Sequence, residues 1–180
     1  MQDLSLNVMD VAQNSVVAGA DRIEILVEET GDLLTIRIRD NGHGMTEEQL
    51  QSVTDPFFTT RTTRKVGLGV PLFKMQAEMT GGDFTISSQE GKGTDVTALF
   101  HADHVDMIPI GDMETTVSLL IAMNPERDFL YTRSRNGSSF TLDTRELREV
   151  LGEDVPLNTP DVTEWIKAFL ADNLETIQGG

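Results

Sequence analysis

Apolar and polar positions along this chain follow two periods, and each change of period marks an element. Leu4, Val8, Val11, Ala12 and Ser15 recur at helical spacing, which predicts an amphipathic helix over residues 2–18 closed by Gly19. Arg22 to Glu29 then alternates, with Ile23, Ile25 and Val27 inward. Gly31-Asp32 turns the chain, and Leu33 to Arg39 returns as a partner strand, giving a half-buried antiparallel hairpin that ends at Asp40. A short helix is expected from Thr46 to about Val53. Residues 55–65, rich in Thr and Arg and without a period, read as a loop or lid. A second helix is expected from Pro71 to Met79, stopped by Gly81-Gly82. Asp83 to Ser88 and Asp95 to Phe100 read as strands about a Gly91-Lys92-Gly93-Thr94 turn.

Beyond residue 102 the pattern restarts. A connector leads to a helix capped by Asp112, with Val117, Leu120 and Ile121 on its apolar face and Asn124-Pro125 as its stop. Asp128 to Arg133 and Ser138 to Leu142 form a predicted hairpin about Asn136-Gly137, a dipeptide suited to a tight two-residue turn. A helix containing Leu147 and Leu151 starts at Asp143-Thr144. A last one, capped at Thr159-Pro160-Asp161, carries Val162, Trp165, Ile166, Phe169 and Leu170, and core burial is expected for Trp165. The expected organisation is a main domain over residues 1–102 and a small α+β module over 103–180, packed on the first or reserved for a partner.

Charge narrows the partners. The 180 residues carry 30 acidic against 14 basic side chains, a formal charge of −16, and the excess is spread over both halves. Neither half offers the basic surface that a phosphate backbone requires, so no nucleic-acid partner is expected. An anionic ligand would have to be held by backbone N–H groups, a metal ion or a few Lys and Arg side chains. The absence of cysteine excludes disulfides and thiolate metal sites. No signal-peptide pattern opens the chain and no apolar run is long enough to span a membrane, so the expectation is a soluble, cytoplasmic protein.

Against that background three clusters carry candidate chemistry. Asp40-Asn41-Gly42-His43-Gly44-Met45 puts a carboxylate at a strand end, followed by backbone that can bend and approach a ligand closely. Asp3, Asn7, Asp10 and Asn14 form a second stripe on the first helix. Such short oxygen-bearing side chains suit a hard cation such as Mg2+, or simply make a solvated face. Gly67-Leu68-Gly69 opens a helix, where freed N–H groups and the helix dipole attract anions. His101 and His104 have no further ligands to complete a metal site and are read as structural.

In order and spacing these pieces resemble the Bergerat-fold ATP-binding domain of the GHKL superfamily, the group of gyrase-type topoisomerases, heat-shock chaperones, sensor histidine kinases, anti-sigma serine kinases and mismatch-repair ATPases. Asp10-x-x-x-Asn14 resembles its N box, Asp40-x-Gly42-x-Gly44 its G1 box, and Asp55-Pro-Phe-Phe58 its F box. Gly67-Leu-Gly69 resembles the G2 box, and Gly91-x-Gly93-Thr94 the closing Gly-x-Gly-Thr. The wording is nearest the histidine-kinase and anti-sigma branch, and the resemblance covers about residues 1–100. It implies an α/β fold, a two-layer α+β sandwich with a mixed, mostly antiparallel sheet. It also implies ATP and Mg2+ as cofactors.

Residue by residue, the resemblance implies that Asp40 accepts a hydrogen bond from the adenine amino group and that Asn14 offers its amide oxygen to Mg2+. It implies that Asp10 polarises the attacking water or substrate hydroxyl, and that Gly67, Leu68 and Gly69 give N–H groups to the phosphates. Met45 and Thr94 would line the adenine pocket and Lys65 or Arg64 would meet the terminal phosphate. Ala18, Gly42, Gly44, Phe58 and Val70 complete the implied nucleotide-binding set. Asp10 stands where hydrolysing members usually have Glu, one methylene longer, and Lys65 where many kinases have another glycine. With His43, His101 and His104 as the only histidines, no phosphoacceptor helix is expected, and the chain does not read as a complete sensor kinase. The expected activity is that of a protein kinase or slow ATPase with a regulatory protein partner or substrate, with a homodimer left open. The alternative is an ATP-gated interaction module without turnover.

Overall fold

The computed structural model of the chain describes residues 3–54 and 69–179. Residues 55–68, which include the Asp55-Pro-Phe-Phe58 motif, Phe58, Arg64, Lys65, Gly67 and Leu68, lie outside the described residues. Helix α1 spans Leu4–Val17, with Asp3 as its N-cap accepting from the Leu6 amide, and Gly19 at φ +77 turns the chain out of it. Strands β1 (Arg22–Thr30) and β2 (Leu33–Asp40) form the predicted hairpin, pairing Ile25 with Ile38 and Ile23 with Asp40. Helix α2 (Glu47–Val53) starts with a capping box in which the Thr46 and Gln49 side chains satisfy each other's backbone amides. Helix α3 covers Gly69–Met79, strand β3 Asp83–Gln89 and strand β4 Gly93–His101.

The remaining elements are α4 (Met113–Met123), β5 (Asp128–Arg135), β6 (Ser138–Asp143), α5 (Thr144–Leu151) and α6 (Pro160–Gly179). The six strands among the described residues belong to one open sheet in the order β3-β4-β2-β1-β5-β6. Every neighbouring pair is antiparallel except β1 with β5, which run parallel from Arg22–Asp128 to Glu29–Arg135. A parallel pair needs a crossover, and here the chain between β1 and β5 includes α1's neighbours α3 and α4. The C-terminal hairpin therefore continues the sheet begun by residues 22–40.

Helices α3, α1, α4 and α6 cover one face of this sheet, with α1 packed between α3 and α4 and α6 against α4. That arrangement is the mostly antiparallel two-layer α/β fold expected from the motifs. The alternation of the strands sends Ile23, Ile25, Val27, Leu34, Ile36, Ile38, Val96, Phe100, Phe129 and Tyr131 under the helices, where they meet Leu4, Val8, Phe73, Val117 and Leu120. The opposite face carries Glu24, Arg37, Arg39 and Asp95. There Arg37 pairs with Asp95 and Arg39 with Glu24, and the Asp95 hydrogen bond raises the Arg37 pKa.

Two expectations change. Helix α3 begins at Gly69 rather than Pro71, because proline is tolerated in the first turn of a helix, where its missing N–H costs no bond. Trp165 is 49% exposed rather than in the core. Val162, Ile166 and Leu170 fill the inward stripe of α6, and Trp165 sits further round the helix, stacked on Phe169 at a centroid distance of 5.1 Å.

Candidate functional site

The end of β2 brings the candidate residues together. Asp40 lies opposite Thr94 in the β2–β4 register, and its carboxylate is held from three directions. Oδ1 accepts from the Gly42 amide at 2.8 Å and from the Thr94 amide at 3.3 Å, and Oδ2 accepts from the Ser15 hydroxyl of α1 at 2.5 Å. A carboxylate has about four acceptor positions. Three are used, and Oδ2 keeps one for a further donor.

Glycine is required in the corner by contact as well as by conformation. Gly44 has φ +71 and a Cβ there would lie 2.1 Å from the Gln89 carbonyl oxygen. Gly93 has φ +122 and its Cβ would lie 2.0 Å from the Asp40 carbonyl oxygen. Gly42 packs against Ala18, and the Ala18 carbonyl accepts from the His43 amide at 2.9 Å, so the C-terminal end of α1 is tied to the loop after β2. Met45 is half-buried, with its amide donating to the Ser88 hydroxyl. That hydroxyl also lies 2.8 Å from the Thr94 hydroxyl. Ala18, Asp40, Gly42, Gly44, Met45 and Thr94 thus form one contiguous corner.

Asp10 and Asn14 share a face of α1 one turn apart. The start of α3 lies against Asp10: a Cβ on Gly69 would come to 3.0 Å from the Asp10 Cβ. The Asp10 side chain is open to solvent, yet partial desolvation by its surroundings raises its carboxyl above the ordinary value of 3.8. The other charged residues near the start of α3 fall outside the described residues. Val70 follows Gly69 with its side chain buried in the core, which leaves the backbone of that turn as its polar surface.

Three participants were not singled out as site residues. Ser15 reads as part of an apolar stripe, but it is a hydroxyl in a buried row and so required a partner; that partner is Asp40. Ser88 looks like an ordinary strand residue until β3 is paired with β4. Asn41 accepts from the Asp21 and Arg22 amides through its side-chain oxygen, bracing the corner against the start of β1. Among the described residues no three acidic or histidine side chains converge as a metal site. The amide oxygen of Asn14 is a donor of the type a hard divalent cation accepts. Among the described residues no helix is long and apolar enough to cross a membrane.

Comparison with known proteins gives the chain's family and relatives. The family model described as histidine kinase-, DNA gyrase B-, and HSP90-like ATPase matches residues 2–104. The chain is 35% identical over 75 residues to the sensor histidine kinase ZraS of Escherichia coli K12, a match spanning 42% of this chain and 16% of that protein. It is 33% identical over 98 residues to sporulation kinase B of Bacillus subtilis, spanning 54% of this chain and 23% of the kinase. The match to the autoinducer sensor kinase/phosphatase CqsS of Vibrio cholerae is 27% over 130 residues, or 72% of this chain and 17% of that protein. Each of these relatives is therefore several times longer than the region it shares. Among solved structures, the N-terminal domain of a DNA repair protein superposes with a TM-score of 0.55 over 85% of this chain and 58% of that one, at 16% identity, a likeness of fold.

Proposed function

The chain belongs to the histidine kinase-, DNA gyrase B- and HSP90-like ATPase family, and on that premise we propose that it binds Mg-ATP between α1 and the Asp40 corner and transfers or slowly hydrolyses the terminal phosphoryl group. The observation that carries this reading is Asp40 itself. Its carboxylate is oriented by Ser15, Gly42 and Thr94 and retains an acceptor position on Oδ2. An amino group on a purine matches that acceptor. A carbonyl at the same position, as guanine presents, would leave two acceptors facing each other.

The rest of the set divides the remaining work. Ala18, Gly42, Gly44, Met45 and Thr94 form the walls in which the base would lie, and the N–H groups of the α3 entrance at Gly67, Leu68 and Gly69 would face the phosphates. Phe58, Lys65 and Val70 complete the set by family likeness. Bound Mg2+, held through Asn14, would supply charge neutralisation of the phosphates. Asp10, its proton affinity raised by desolvation, is the group on this chain suited to take a proton from an attacking hydroxyl or water.

A second reading, an ATP-gated interaction module, draws on the wiring between this corner and the C-terminal hairpin. Asn41 holds the Asp21 amide, the Asp21 carbonyl accepts from the Asp128 amide that starts β5, and Arg127 donates to the Ala20 carbonyl. Order imposed at Asp40 would thus reach residues 103–180, the module we assign to a regulatory partner or protein substrate. Calorimetry with a non-hydrolysable ATP analogue and Mg2+ tests binding, and heat at the level of buffer alone would remove both readings. Radiolabelled ATP turnover with Asp10→Asn as control separates them. The enzyme reading expects measurable wild-type turnover that falls to background in the variant while analogue binding persists; a near-background rate unchanged by the substitution leaves only the gated module.

A further inference from the structure

The strand at the far end of the sheet from β3 has an unguarded edge. Sheet edges are commonly blunted by charged side chains, proline or a bulge, because their free backbone groups recruit other strands. β6 has none of these between Ser138 and Leu142: the run is Ser-Ser-Phe-Thr-Leu, paired residue for residue with β5. The other edge strand, β3, has α2 and the loop around His43 against it, with the Gly91 amide donating to the His43 carbonyl. Among the described residues β6 makes no backbone hydrogen bond outside its ladder with β5.

The turn fixes which groups are free. Asn136 at φ 48 and Gly137 at φ 94 form a type I′ turn, which closes on Arg135 and Ser138 as a hydrogen-bonded pair. Hydrogen-bonded pairs then fall on even-numbered residues of β6, so Ser139 and Thr141, both exposed, aim their N–H and C=O groups away from the sheet. Beside this edge an aromatic series leads out of the core. Tyr131 meets Phe140 at 6.0 Å, Phe140 meets Phe169 at 6.3 Å, and Phe169 stacks on the half-exposed Trp165.

We propose that the β6 edge is a self-association surface, on which a second copy of this chain adds its own β6 in antiparallel register to join the two sheets. The strand is complementary to itself. A two-fold axis at Thr141 makes Thr141 and the partner's Thr141 a hydrogen-bonded pair, puts Ser139 opposite the partner's Asp143, and sets Phe140 beside the partner's Leu142 on the helix-covered side, next to the shelf made by Phe169 and Trp165. No two like charges oppose each other in that register. For a chain of net charge −16, this strand, uncharged from Ser138 to Leu142, is a place where two copies can meet without setting carboxylate against carboxylate. An unrelated extended peptide could use the same backbone groups, but the self-matching pattern of outward groups and apolar neighbours selects the second copy.

The surface does not depend on nucleotide, so its test omits ATP. In sedimentation velocity at tens of micromolar, the full chain of 19.9 kDa is expected to run as a species of about twice that mass. Thr141→Lys, at an exposed position, opposes two ammonium groups across the axis and should return the chain to the monomer with its circular dichroism and melting temperature unchanged. Because the chain has no cysteine, Thr141→Cys introduces a single thiol, and a short bis-maleimide should link two chains through it. A wild-type chain that stays monomeric at ~100 micromolar overturns the proposal, even if an extended peptide proves to bind the edge. So does a dimer that withstands Thr141→Lys while the thiol variant fails to cross-link, since that dimer is built elsewhere.

Discussion

Two polar networks are built into this fold, one near each end of the β1 strand, and they differ in how far they are buried. Near the end of β1, Glu114 of α4 accepts from the Tyr131 hydroxyl and from the Arg133 guanidinium, both at 2.8 Å, and Arg133 lies 3.6 Å from Glu29. Glu114, Tyr131 and Arg133 are buried. Burial first, and the Glu114 carboxylate next, push the Tyr131 hydroxyl far above its ordinary value. Burial works against the Arg133 charge, but Tyr131 and Glu114 outweigh it and raise Arg133 as well. At the other end, Asp40 is fastened by a hydroxyl and two amides and still has an acceptor to spare. A network closed off from solvent, in which only the Arg133 Nε lacks a partner, fixes how a helix sits on a sheet. One that is rigid yet unfinished is prepared for a ligand, because its orientation has been set before the ligand arrives.

If that contrast holds, damage to the closed network should be felt in stability and damage to the open one in binding. The largest effect is expected for Glu114→Ala, which strands a buried guanidinium: urea denaturation should show a loss of about 3–5 kcal/mol, with ATP-analogue affinity of the folded fraction intact. A comparable fall in affinity with stability unchanged would reverse the assignment. Asp40→Asn should do the opposite, weakening analogue binding by about 1–3 kcal/mol in calorimetry while the denaturation midpoint moves little.

Ser15→Ala probes both sides at once. It removes one donor to Asp40 Oδ2 from a buried position, so stability should fall by about 1 kcal/mol, and binding should weaken by less than in Asp40→Asn. Equal losses in the two variants would mean that Ser15, and not the spare acceptor, governs recognition. The smallest effect belongs to Asp10. Its folded-state pKa is raised, so the folded chain holds this proton more tightly than the unfolded one. The associated stability is present below the ordinary value of 3.8 and is lost as pH rises through the raised value. Asp10→Asn removes that loss, and thermal melts near neutral pH should show a slightly higher melting temperature than wild type, the gap closing in acid.

Much of the N-terminal half was legible because its signals are local. Period-two alternation in 22–40 and period-3.6 spacing in 4–15 yielded α1, β1 and β2 nearly to the residue, and Asn136-Gly137 and Asp112 named a turn and a cap correctly, since each acts on backbone within a few positions. The site was legible as motifs but not as a network. Asp40 stands out by its place after a strand, whereas Ser15 is 25 residues away and only the packing of α1 over β2 makes it a partner. Helical spacing places Trp165 beside Val162, Ile166 and Phe169 without saying how wide a stripe α4 and the sheet cover, and that width leaves it half-exposed.

By itself the sequence determined the elements, their inward faces, the glycines that let backbone meet backbone at Asp40, and the family's ordered motifs, because all of these depend on spacing along one chain. Only the tertiary structure decided that β5 runs parallel to β1 and makes the C-terminal hairpin part of the same sheet, that β6 is left as an open edge, and that Ser15 and Thr94 converge on one carboxylate. Those outcomes come from pairing segments far apart in the chain. Which strands pair is chosen by the total apolar surface covered by the assembled helices, and no short stretch of residues carries that quantity.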